Sequence, residues 1–233
     1  DFIPLYNICI KGIVMSTKNV LRISLLFICC CHVFLTKANI HDRGYILILN
    51  SYAESDVWAN HAIDSIRKDH SIKEDIWVES LDMLLVDSMA GLQKRKDYIL
   101  AKYDTAPRCI VMLGNSIWCV FEDVFKGIWK DIPVILCVRE DYVSPLDVML
   151  KREEINPKDI IPLQDKLNGL NITLIECPVY IRETIDEMKR LLPNMKKIVL
   201  ISDRHYVSAQ IREKMRHVCE TYFPDLDVSY FIE

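Results

Sequence analysis

Tyr45-Ile46-Leu47-Ile48-Leu49-Asn50, followed by the polar stretch Ser51-Tyr52-Ala53-Glu54-Ser55-Asp56 and then by Val57-Trp58-Ala59-Asn60-His61-Ala62-Ile63, decides the fold. An apolar run of this length without alternation reads as a strand covered on both faces, the habit of parallel sheets. The stretch 51–56 is a turn. From Val57 to Lys68 the residues Trp58, Ala62, Ile63 and Ile66 recur at helical spacing, and Ser55 or Asp56 stands where a helix cap belongs.

The same alternation continues outward from this unit. Strands are expected over 76–81, 109–113 (CIVML) and 133–138 (PVILCV), with helices over 88–103 and 117–126 between them. The segment 141–168 is polar and punctuated by Pro145, Pro157 and Pro162, which reads as a long surface excursion. A short strand over 172–175 and a helix over 179–192 follow, with Ile181, Ile185, Met188 and Leu192 sharing one helical face. Pro193 ends that helix. A strand over 197–202, a helix over 208–223 and a strand over 226–232 complete the pattern. The fold class is therefore α/β, a doubly wound parallel sheet with helices on both faces. The domain division is a first lobe over 44–192 and the start of an incomplete second lobe over 193–233.

The N-terminus is of another kind. Met15, Lys18 and Arg22 precede an apolar run from Ile23 to Leu35 that closes on Thr36-Lys37-Ala38, the layout of a secretory signal. The run falls short of the roughly 20 residues of a spanning helix. A cleaved signal over 15–38, with cut after Ala38, is the primary expectation; a membrane anchor and a buried core helix are the competing readings. Residues 1–14 precede Met15 and read as an upstream extension without a role. Export places the protein in a periplasmic or extracytoplasmic compartment.

With 51% hydrophobic and 27% charged residues in 233, the chain has the composition of a globular protein with a core. Without Lys11, Lys18, Arg22, Lys37 and Asp1 of the leader, 25 basic residues stand against 32 acidic ones, a net charge of −7. Such a balance argues against a nucleic-acid partner. Cys109, Cys119, Cys137, Cys177 and Cys219 remain outside the leader; their odd number and wide spacing read as small buried hydrophobes rather than a disulfide framework or metal site. Bulky Leu26-Phe27-Ile28 before Cys29–Cys31 argues against lipid attachment.

In doubly wound sheets ligands bind beyond the carboxyl ends of the strands, so those loops hold the candidate site. After the first strand, Ser51, Tyr52, Glu54 and Trp58 offer a hydroxyl, a carboxylate and rings suited to a small polar ligand. The alternative is that Trp58 packs under its helix and Glu54 is solvated. The third strand ends in Gly114 and Asn115, where glycine permits close backbone approach, or where Ser116 caps a tight turn. Arg139 and Glu140 close the fourth strand; Arg139 can fork onto a ligand carboxylate or pair with a neighbouring acid. Asp203 and Tyr206 close the later strand in a loop that mirrors the first, as a hinge-closing cleft requires.

The chain carries no glycine-rich phosphate loop, no GxSxG elbow and no HExxH, and His41, His61, His70, His205 and His217 lack metal-ligand spacing with cysteine. No residue qualifies as a nucleophile by context, so the chain is expected to be non-catalytic and to use neither cofactor nor metal. An α/β enzyme with an unrecognised site is the competing class.

The runs ILILNSYAESDVWAN, VMLGNSI, PVILCVRED and ETIDEMKRLLPNMKKIVLISDRHY resemble the extracytoplasmic sensor domains of bacterial two-component histidine kinases, which look like substrate-binding proteins of ABC transporters. The resemblance covers residues 44–233. It implies a periplasmic-binding-protein lobe of type I, the beginning of a second Rossmann-like lobe, cleft closure on a small molecule and a signal passed to a membrane-linked kinase module, with a homodimer as a further partner arrangement. A free substrate-binding protein serving a transporter is the alternative. The loops fit sugars, amino acids or small acids alike.

Overall fold

The computed structural model describes residues 44–232 apart from 104 and 153, so the expected leader over 15–38 and the extension over 1–14 lie outside the described residues. Five parallel strands, β1 (Tyr45–Asn50), β2 (Asp75–Ser80), β3 (Cys109–Leu113), β4 (Val134–Val138) and β7 (Ile172–Glu176), form one sheet in the order β2-β1-β3-β4-β7. Helices α1 (Val57–Arg67), α2 (Met89–Lys102) and α3 (Asn115–Lys126) cross between the first four. The doubly wound α/β sheet expected from the sequence is present.

Alternation along the strands sorts the core into two layers. Ile46, Ile48, Val111, Leu113, Ile135 and Cys137 face α1, where Ala59, Ile63 and Ile66 meet them. Leu47, Leu49, Ile110, Met112, Val134, Leu136 and Val138 face the other way, onto α2 and α3. Handedness explains the split. The chain moves one way from β1 to β2 and the opposite way from β2 to β3 and on to β4, and right-handed crossovers then put α1 on one face and α2 and α3 on the other.

The side of α3 is the most densely packed. Trp118 stacks on Phe125 with centroids 5.8 Å apart, and Phe121 on Trp129 at 6.3 Å. Full burial of each such ring stabilises by about 1.5–3 kcal/mol. Asp56 caps α1 by accepting a hydrogen bond from the Ala59 amide at 2.8 Å, and Ser88 caps α2.

Segment 141–168 is not a surface excursion. It holds β5 (Tyr142–Val143), α4 (Leu146–Lys151), a single 3-10 turn (Pro157–Asp159), β6 (Ile161–Pro162) and α5 (Leu163–Leu167), and it buries Tyr142, Val143, Ser144, Met149, Ile155, Leu163 and Leu167. The prolines that looked like loop punctuation start helical turns: Pro145 precedes α4, Pro157 opens the 3-10 turn and Pro162 precedes α5. A fixed φ and a missing amide cost nothing at such positions.

Beyond β7, α6 (Ile181–Leu191), β8 (Lys197–Ser202), α7 (Tyr206–Tyr222) and β9 (Asp227–Ile232) build a second unit in which β8 and β9 pair in parallel, apart from the first sheet. Ile181 and Ile185 pack with Ile198, Leu200, Met215 and Val218. A division at 192/193 assigns α6 to the first lobe, whereas its buried residues pack with the second sheet. Leu192 does not share their environment; it is exposed. Among the described residues no helix is long and apolar enough to cross a membrane.

Candidate functional site

The strand order reverses between β1 and β3, and the loops leaving those two strands diverge there to opposite sides of the sheet. Such a switch point opens a crevice at the carboxyl edge. Ser51 and Gly114 meet in it. The Ser51 hydroxyl donates to the Leu113 carbonyl at 2.8 Å, and its amide donates to the same oxygen. Gly114 has φ 97°, and a Cβ there would stand 2.1 Å from Ser51 Oγ. Both the left-handed backbone and the close approach require glycine. Helix α3 begins directly at Asn115, so Ser116 lies in its first turn and caps nothing.

Tyr52 and Trp58 close the outer side of this crevice, edge to face with centroids 5.6 Å apart. The Arg139 guanidinium, from the end of β4, lies 5.2 Å over the Trp58 ring. Trp58 is half-buried against the α1 layer, as the packing alternative has it, and presents its ring to Arg139. Burial pushes the Tyr52 phenol up to about 12, with Arg139 opposing, so it is a neutral hydroxyl at physiological pH. Arg139 forms no ion pair among the described residues, although a carboxylate partner was one of its two expected fates. Glu54 is exposed and its carbonyl accepts from Asn60 Nδ2. Cys137 and Cys177 lie near the phenol, and burial raises both thiols, Cys137 to about 12.

Asn115 and Glu140 point elsewhere, into a buried seam with the second unit. Asn115 Nδ2 donates to the Tyr142 carbonyl at 2.8 Å and to Gln210 Oε1 at 3.1 Å, while Gln210 Nε2 donates to the same carbonyl at 3.0 Å. Gln210 is completely buried. Beside it, Lys214 Nζ lies 3.1 Å from Glu140 Oε2. Burial raises the Glu140 carboxyl above its ordinary range, with Lys214 pulling the other way. Its Oε1, the Ser144 hydroxyl and Arg212 Nε are buried without a hydrogen-bond partner. Tyr206 is buried with Tyr142, Met149, Ile155 and Ala209, its phenol turned toward Ser144. A buried polar atom left unpaired costs about 1–3 kcal/mol, so this seam holds polar groups in excess of their protein partners.

The loop 203–206 borders a narrow crevice with Met83, Leu84, Met149, Leu150 and Arg152, and the Met83 amide donates to the Ser51 carbonyl at 3.0 Å. Asp203 pairs with His205 at 2.8 Å. Partial burial works against the Asp203 charge, but hydrogen bonds from His205 and Ser208 outweigh it and hold the carboxyl well below its usual range. The same bond raises His205. The ten candidate residues therefore separate into a crevice group (Ser51, Tyr52, Glu54, Trp58, Gly114, Arg139), a seam group (Asn115, Glu140, Tyr206) and Asp203. Gln210 and Lys214, which tie the seam, escaped the sequence reading. Gln210 lies one turn beyond Tyr206, on the face carrying Ala209, and a polar residue on an apolar stripe was the available signal.

Neither a family profile nor a curated protein matches the sequence. Solved structures do. A conserved domain protein from Vibrio cholerae O1 biovar El Tor superposes with a TM-score of 0.51 at 11% identity, covering 82% of this chain and 58% of its own. The likeness is one of fold. The ABC domain of Streptococcus pneumoniae in complex with L-Trp gives a TM-score of 0.48 at 13% identity, with the same coverage. The chain spans 58% of the length of either structure.

Proposed function

We propose that the chain is an extracytoplasmic, non-catalytic binding module that takes a small carboxylate-bearing molecule at the carboxyl edge of its first sheet and reports it through the second unit. One observation carries this reading: Arg139 stands over Trp58 at the mouth of the switch-point crevice with no ion-pair partner among the described residues. A guanidinium fixed over a ring keeps its fork free for a planar anion. The neutral Tyr52 phenol and the Ser51–Gly114 contact shape the other wall.

The second unit supplies the moving part. Helix α7 touches the first lobe through Gln210, Lys214 and Tyr206, and the unpartnered polar atoms of that seam are groups that a bound ligand or water can complete. The resemblance to sensor domains favours signalling to a membrane-linked kinase over service to a transporter. The coding sequence after Glu233 separates the two, since a spanning helix and kinase support the first and a finished lobe with a stop supports the second.

The direct test uses Tyr52→Ala and Trp58→Ala in the full chain, screened by thermal shift against monosaccharides, amino acids and small carboxylates. Both variants are expected to melt cooperatively below the unliganded wild type, because both rings pack against the α1 layer, and to lose the ligand-dependent rise in melting temperature. A ligand-dependent rise retained in both variants would remove the two rings from the site.

A further inference from the structure

Helices α2, α3 and α4 leave a groove of about 430 Å³ between them, within the size range of small-ligand sites. None of its lining residues belongs to the strand-end loops. Leu92, Val120 and Leu146 give it an apolar floor, and Lys96 stands in its wall. On α2 the residues Leu92, Lys96 and Ile99 occupy one helical face, so position 96 is a slot for an apolar side chain. A lysine fills it and is only 7% exposed.

Its ammonium lies 6.0 Å from the Phe121 ring centroid and is paired with one carboxylate, that of Asp123. The two partners differ in their freedom. Asp123 is 74% exposed and can rotate into water at little cost, while Lys96 cannot leave. Glu122 on the same rim does not compete for Lys96, being held by Lys126 at 2.6 Å and Lys166 at 3.4 Å. A buried cation with an exchangeable counter-ion, above an apolar floor, is complementary to an anion that brings its own apolar tail. We propose that this groove binds a small apolar carboxylate, with its head on Lys96 in place of Asp123 and its tail along Leu92, Val120 and Leu146.

Calorimetric titration of the full chain with octanoate, and with octan-1-ol as the uncharged control, tests the assignment. Octanoate is expected to bind and octanol to bind roughly tenfold more weakly or not at all, and Lys96→Met, which keeps the apolar shape of the slot, should weaken octanoate roughly tenfold. Asp123→Asn should tighten octanoate roughly threefold, because it removes the competing counter-ion. That variant lies at an exposed position and reads the exchange even where Lys96→Met is unstable. Absence of octanoate binding, equal affinity in Lys96→Met, or weaker binding in Asp123→Asn would each overturn the proposal. Loss of binding in Arg139→Ala with full retention in Lys96→Met would place octanoate at the strand ends and overturn it as well.

Discussion

The two parallel sheets differ in how their faces are covered. In the first, β1, β3 and β4 lie between α1 on one side and α2 and α3 on the other, with Leu47, Ile48 and Leu49 inaccessible to solvent. In the second, Ile198 and Leu200 are buried beneath α6 and α7, yet Ile201 is 55% exposed and Phe231 59% exposed. Parallel strands normally have both faces covered. The first sheet is thus a finished scaffold that can hold Ser51, Gly114 and Arg139 in fixed relation. The second is bound to it through the polar seam of α7, a contact made of hydrogen bonds and two ion pairs, Lys214–Glu140 and Arg216–Glu154, around a small apolar cluster. A binding cleft needs both properties, one rigid wall and one wall whose contact can be remade.

Truncation in the two sheets should separate them most sharply. Phe125→Ala removes a fully buried ring from the α3 stack and is expected to cost about 3–5 kcal/mol, whereas Ile201→Ala on the open face should stay within about 0.5 kcal/mol. Urea denaturation measures both, and similar losses would mean that Ile201 is covered in solution. Gln210→Leu tests the seam at an intermediate scale. It leaves Asn115 with fewer partners and should cost about 1–3 kcal/mol, read as a shift of the urea midpoint. An unchanged midpoint would show that the seam contributes nothing to the folded state.

The pH dependence is the smaller effect, and its sign is fixed by two groups. Glu140 and His205 both have folded pKa values raised above their unfolded ones, so each contributes stability that is present at lower pH and lost as pH rises through the folded value. Asp203 is depressed, and its contribution is lost only on acidification below the ordinary carboxylate range. The melting temperature should therefore fall between about pH 5 and pH 8, and Glu140→Gln should flatten the lower part of that slope. A rise over the same interval would contradict the assignments of both groups.

Much of the fold was legible because it is written in local pattern. YILILN and CIVML carry the uninterrupted apolar signal of covered strands, and β1, β3 and β8 begin and end where that pattern does. Segment 141–168 was illegible for the opposite reason: proline marks both loops and helix starts, and only tertiary contact shows that Leu163 and Met149 are core residues. Of the candidate site, the crevice group followed from the rule that strand ends bind ligands. The seam did not, because Asn115 and Gln210 are 95 residues apart and nothing local announces their bond. Lys96 and Gln210 share one lesson, that a polar residue on an apolar helical stripe deserves to be read as a buried group with a partner.

The claim that the carboxyl edge of the first sheet binds a small anionic molecule through Arg139 is tested most directly by a thermal-shift panel of amino acids, small carboxylates and monosaccharides on the wild-type chain and on Arg139→Ala. At least one carboxylate should raise the wild-type melting temperature, by an increment that grows with its concentration, and Arg139→Ala should abolish that rise while melting within a few degrees of the unliganded wild type. A cooperatively melting wild type that no compound shifts, or a shift that survives in Arg139→Ala, would contradict it.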